Sequence, residues 1–125
     1  MLSQTTENEL NEILQNYEQQ TTNEIAIVTV LNLQGVTIED YAVRLFEEWK
    51  IGKKGKDNGI LLLIAKEERK IRIEVGYGLE PTLTDAQAYQ IIQEIISPSF
   101  KGGDFDTGVK EGVNGIIKIL SGEQL

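Results

Sequence analysis

The run Ile60-Leu61-Leu62-Leu63-Ile64-Ala65 is the feature that most restricts the fold. It has no polar position, so neither of its faces is suited to water. It is short, with Asp57-Asn58-Gly59 before it and a charged turn, Lys66 to Lys70, after it. Such a run reads as a β-strand covered on both faces. A strand of this kind needs neighbours on its edges and a layer over each face. Ile25–Leu31, β-branched and almost wholly apolar, reads as a second interior strand. Ile71-Arg72-Ile73-Glu74-Val75 alternates with period two, so it carries one wetter face and belongs nearer an edge.

The covering layers come from four helical patterns. Leu10, Ile13, Leu14 and Tyr17 give a helix over residues 5–20 with one apolar side. Thr37 caps a second helix, with Glu39 and Asp40 at the positive end of its dipole. Ile38, Tyr41, Ala42, Leu45, Phe46 and Trp49 form a wide stripe that should pack hard against the sheet. Thr84-Asp85-Ala86-Gln87 has capping-box spacing, and Ala88, Ile91, Ile92, Ile95 and Ile96 mark a third helix that should stop before Pro98. Residues 100–106 read as a Gly/Asp loop. Val109, Val113, Ile116, Ile117 and Leu120 mark the last helix. On it, Gly108, Gly112 and Gly115 each cost roughly 1 kcal/mol against alanine, which implies close approach to a neighbouring element. The order α-β-α-β-β-α-α combines a right-handed parallel crossover with an antiparallel hairpin. It predicts a mixed sheet with helices on both faces. Residues 1–125 read as a single domain, because the length fits one and no repeat or low-complexity tract interrupts it.

Composition excludes several functions. The net charge of −8, from 12 basic and 20 acidic residues, argues against nucleic acid and against anionic lipid surfaces, since both need clustered positive charge. It favours cations and basic protein partners. The absence of Cys and His removes thiolate and imidazole metal sites, cysteine nucleophiles and Ser-His-Asp triads. A metal here must be held by oxygen, which suits Ca²⁺, Mg²⁺ or Mn²⁺. No apolar run reaches the ~18 residues of a membrane span, and the first residues show no signal peptide.

The hairpin sets the candidate site. If residues 60–65 and 71–75 pair antiparallel, the start of the first and the end of the second share one sheet edge. Asp57 precedes the first, Glu80 follows the second, and Asp85 opens the next helix. Gathered carboxylates repel unless a cation sits between them. Carbonyls from the glycine-rich turns at Gly52, Gly55, Gly76 and Gly78 would complete its shell. Asp104 and Asp106 form a second acidic loop able to close over the ion. Glu67 and Glu68, about 20 Å away by strand rise, should be uninvolved. Each residue also has a plainer reading: Asp57 as a turn former, Asp85 as a helix cap, Glu80 and Asp104 as loop polarity. The EF-hand register is missing. Gly76-Tyr77-Gly78 lacks the third glycine and the parallel first strand of a dinucleotide loop. Lys53, Lys54 and Lys56 read as a solvated loop face or as a contact for phosphate or an acidic partner. Tyr77 should cover the strand end or stack on a ligand.

Several stretches resemble the TPM domain family and together span nearly the whole chain: Leu33–Ala42, Trp49–Ala65, Ile71–Glu80, Leu83-Thr84-Asp85, Pro98-Ser99-Phe100 and Gly103-Asp104-Phe105. The resemblance implies a three-layer α/β/α sandwich on a small mixed parallel/antiparallel sheet of about four strands. It implies calcium, or magnesium, at Asp57, Glu80, Asp85 and Asp104. Family members include a thylakoid-lumen protein of photosystem II repair described as an acid phosphatase. Bacterial members are exported and membrane-anchored, so the full-length protein is expected to be extracytoplasmic. The functional expectation is a monomeric calcium-binding module for a membrane-associated partner. The alternative is a metal-dependent phosphatase acting on phosphomonoesters, in which a metal polarises a phosphoryl oxygen. It is disfavoured because no His and only loop lysines are available.

Overall fold

The computed structural model describes residues 2–125. The elements are α1 (Gln4–Thr21), β1 (Glu24–Val30), α2 (Ile38–Glu48), β2 (Gly59–Ala65), β3 (Lys70–Val75), α3 (Asp85–Gln90), a π-helical segment (Ile91–Ile96), α4 (Ser97–Lys101) and α5 (Phe105–Leu120). This is a mixed α/β fold. Its sheet has the order β1-β2-β3, parallel between β1 and β2 and antiparallel between β2 and β3, as the hydropathy pattern predicts. The resemblance implied about four strands; the described residues form three. The chain divides into two units, Asn16–Leu79 and Met1–Gln15 with Glu80–Leu125.

In the unit Asn16–Leu79, β2 is the central strand and every one of its residues is buried. Alternation sends Leu61, Leu63 and Ala65 to one face and Ile60, Leu62 and Ile64 to the other. The first face builds a core with Leu33, Ile38, Ala42 and Ile51, against which Tyr41, Leu45 and Phe46 pack. Thr37 caps α2 as expected, its hydroxyl accepting the Asp40 N–H at 3.1 Å. The register pairs Leu61 with Glu74 and Leu63 with Arg72. The wet side of β3 therefore shares the face that α2 packs on, where Arg72 Nη2 donates to Glu74 Oε1 at 3.1 Å.

Two expectations fail in this unit. β1 is an edge strand, not an interior one, and only Ile25 in it is fully buried. Apolar composition reports how well a strand's faces are covered, whereas edge position depends on strand order. Trp49 is 55% exposed. α2 ends at Glu48 with Trp49 as its C-cap, so the helical wheel that aligned Trp49 with the stripe stops one residue short of it.

In the other unit, the third helix does not stop before Pro98. The winding continues through the π-helical segment into α4, which holds Pro98 in its first turn. Pro98 has no N–H for the Glu94 carbonyl, and its ring crowds that carbonyl. Wider winding accommodates this, with the Ser97 N–H donating to the Ile92 carbonyl. The glycine stripe of α5 finds its neighbour here. A β-carbon on Gly108 would stand 2.7 Å from the Phe100 ring, and one on Gly112 would stand 2.7 Å from Ile96. Gly108 and Gly112 thus let α5 sit directly on α4 and the π-helical segment. The start of α1 is tied to α5 by Ser3 N–H donating to Asp106 Oδ1 at 3.1 Å and by Lys110 with Glu9 at 2.8 Å.

Candidate cation-binding loops

The loop between α2 and β2 and the turn after β3 lie together in the unit Asn16–Leu79, as the hairpin argument requires. Ile60 pairs with Val75. Beyond that pair, Gly76 N–H donates to the Gly59 carbonyl at 2.8 Å and Gly78 N–H to the Asp57 carbonyl at 2.9 Å. Backbone meets backbone here. A β-carbon on Gly76 would press on the Asp57 carbonyl oxygen, and one on Gly78 on that of Lys56. At these two positions glycine is required by close approach. Of the glycines whose carbonyls are expected to face an ion, Gly76 has its carbonyl engaged by the Leu79 N–H at 2.9 Å, and nearby the carbonyls of Lys53, Asp57, Asn58 and Gly59 each accept a backbone N–H.

Asn58 organises this corner, a role that sequence reasoning, which considered only Asp57 as a turn former, misses. It is only 5% exposed. Its Oδ1 accepts the Lys53 N–H at 2.8 Å. Its Nδ2 donates to the Thr22 carbonyl at 2.9 Å and to Thr22 Oγ1 at 3.0 Å, which uses both amide hydrogens. The Asn58 carbonyl accepts the Glu24 N–H at 3.1 Å. One residue thus joins the segment after α1, the start of β1 and the loop before β2. Its partner Thr22 and its neighbour Asp57 both hold left-handed backbone, with φ of 65° and 49°, a region costly to a β-branched residue such as Thr22.

Asp57 itself is exposed. Lys53 pairs with Glu18 and also stands 3.6 Å from Glu24. The bond to Glu18 is the main cause holding its pKa above the ordinary 10.5. Lys53 is therefore committed to carboxylates, so of the three clustered lysines Lys54 and Lys56 are the exposed ones. Tyr77 is 79% exposed and does not cover the strand end. Glu68 accepts the Leu33 N–H at 2.8 Å, a structural use at the far end of the hairpin. On the α2 side, an open groove of about 410 Å³ is lined by Leu33, Tyr41, Arg44 and Leu45 among others; the hydropathy pattern gave no sign of it.

Glu80, Asp85 and Asp104 belong to the other unit. Glu80 and Asp85 are exposed. The capping box of α3 is made by Thr84 and Gln87, so the Asp85 carboxylate is not the cap. Asp104 is the N-cap of α5, its Oδ1 accepting the Thr107 N–H at 3.1 Å. The Thr107 side chain first, and then this N–H bond, hold its pKa below the ordinary 3.8. Asp106 is likewise lowered, chiefly by its bond with Ser3. The second acidic loop is therefore the start of a helix, with both carboxylates engaged. Among the described residues, no group of three or more acidic side chains is gathered to hold a metal.

The family model of the TPM domain matches residues 1–119. Among solved structures, the N-terminal domain of a protein from P. gingivalis, determined by solution NMR, is similar with a TM-score of 0.89 and 32% identity, covering 97% of this chain and 77% of that one. The BA42 protein from the psychrophilic bacterium Bizionia argentinensis has a TM-score of 0.81 at 21% identity, covering 97% of this chain and 82% of that one, a likeness of fold. No curated protein matches.

Proposed function

We propose that this chain, which belongs to the TPM domain family, binds a divalent cation, calcium above all, through Asp57, Glu80 and Asp85, and offers that end to a membrane-associated protein partner. The observation that carries the reading is the 2.9 Å bond from Gly78 N–H to the Asp57 carbonyl. It ties the loop bearing Asp57 to the turn that leads, two residues later, to Glu80. At about 3.8 Å per Cα step, the chain keeps Glu80 within roughly 8 Å of that bond. The donors are exposed oxygens, which match a hard cation. Asp104 uses Oδ1 to cap α5, and its other carboxylate oxygen would make it a fourth donor. Because the carboxylates are not gathered beforehand, the ion must order them. The affinity therefore belongs to the weak class, with Kd on the order of 10⁻⁴–10⁻³ M.

Calcium that binds only the folded chain raises stability by about 1.4 kcal/mol at ten times Kd. The test is the urea midpoint with and without calcium, for the parent and for Asp57→Asn and Glu80→Gln. A rise in the parent that both variants lose supports the reading. No rise, or an equal rise in the variants, removes it. A phosphomonoester assay run alongside separates the alternative: metal-dependent hydrolysis lost in Asp57→Asn would mark a phosphatase.

A further inference from the structure

We propose that Asn58-Gly59 is a deamidation site that the fold holds closed, so that covalent ageing at this loop is confined to molecules that have opened it. An asparagine before glycine is the pair most open to attack by the following backbone nitrogen, since glycine has no side chain to hinder the approach. In that step the Gly59 nitrogen bonds to Asn58 Cγ. The amide nitrogen leaves as ammonia, taking the proton from Gly59, and a succinimide ring remains. Water then opens the ring at either carbonyl, giving aspartate or isoaspartate at position 58.

The folded loop opposes each part of this path. To bring Cγ onto the Gly59 nitrogen, the Asn58 side chain must leave the Lys53 N–H and both acceptors on Thr22. The Gly59 nitrogen is itself confined, since a β-carbon on Gly52 would stand 2.7 Å from it. The residue is 5% exposed, which restricts the water needed for ring opening. The product also fails to fit. An aspartate at 58 turns the two N–H groups that serve Thr22 into a carboxylate oxygen facing the Thr22 carbonyl. An isoaspartate adds a main-chain methylene at the residue immediately before β2. Both changes leave buried polar groups unpaired, which is costly.

The chain carries its own reference, Asn114-Gly115 in α5, where Asn114 is exposed. Parent protein is incubated at mildly alkaline pH in buffer and in strong urea, then digested and weighed for the mass gain that accompanies loss of an amide. In urea the two pairs should convert at comparable rates. In buffer, conversion at 58 should be slower than in urea by roughly tenfold or more, the factor set by a local opening free energy of about 1.4 kcal/mol. A smaller slowing overturns the proposal. The urea-aged mixture is then diluted to refold. Chains altered at 58 should be depleted from the folded fraction, while chains that carry aspartate at 114 should be retained. Refolding of 58-altered chains in the same proportion as unaltered ones would overturn the claim that the product does not fit.

Discussion

Replacing Gly78 with alanine puts a methyl carbon where the carbonyls of Lys56 and Asp57 already stand. The added carbon would lie 3.0 Å from the Asp57 oxygen and closer still to that of Lys56. Both are backbone atoms and cannot rotate away, so the turn must shift. The 2.9 Å bond from Gly78 N–H to Asp57 is then strained or lost. Overpacking of this kind costs about 1–3 kcal/mol, and a lost hydrogen bond about 0.5–1.5 kcal/mol. Alanine's smaller unfolded-state entropy offsets about 0.4–1 kcal/mol. The net loss is roughly 2 kcal/mol, or about 1 M in the urea midpoint for a typical small-protein slope. Gly102→Ala is the matched control: its β-carbon would meet nothing nearer than 3.6 Å, and its φ is −80°, so its midpoint should hold or rise slightly. If Gly78→Ala unfolds at the same urea concentration as Gly102→Ala, the close approach of turn and loop is wrong, and the support for a shared site at Asp57 goes with it.

Other outcomes follow from named contacts. Asp104→Ala removes the N-cap of α5 and should lower stability by about 1 kcal/mol, read from urea unfolding. The pKa values of Asp104 and Asp106 are depressed in the folded chain. Their contribution is therefore fully present above the unfolded carboxylate value of about 3.9 and is lost as pH falls through their lower folded values. Acid unfolding monitored by circular dichroism should shift less with pH in the double variant Asp104→Asn/Asp106→Asn. Lys53→Met should change stability little, because both Lys53 and Glu18 are more than a third exposed and water screens the pair. The raised pKa of Lys53 places its contribution below the unfolded value and removes it as pH rises through the folded one, so the gap between Lys53→Met and the parent should close in strong alkali.

What could be read from the sequence was local. β2 declared itself because no position in it tolerates water. The caps at Thr37 and Thr84 follow from spacing within one turn of helix. The hairpin that sets Asp57 beside Gly78 came from the short charged turn between its strands. What escaped depended on partners far along the chain. Nothing around Ile25–Leu31 says that it lies at a sheet edge. Pro98 looked like a stop because the wider winding that absorbs it is rare. The partners of Asn58, on Thr22 and Glu24, lie more than thirty residues away, so its structural role leaves no local signal. Asp104 and Asp106 looked like a free acidic loop because the start of α5, which engages both, leaves only a weak local signal.

The most direct test of cation binding is a calcium titration of isotope-labelled protein, following backbone amide shifts by NMR at constant ionic strength. The account predicts saturable shifts concentrated at residues 57, 78–80 and 85, with a midpoint on the order of 10⁻⁴–10⁻³ M, and their disappearance in Asp57→Asn. Small, unsaturated shifts spread over the acidic residues of α1 and α5 would show only diffuse attraction to a negative surface, and would contradict it.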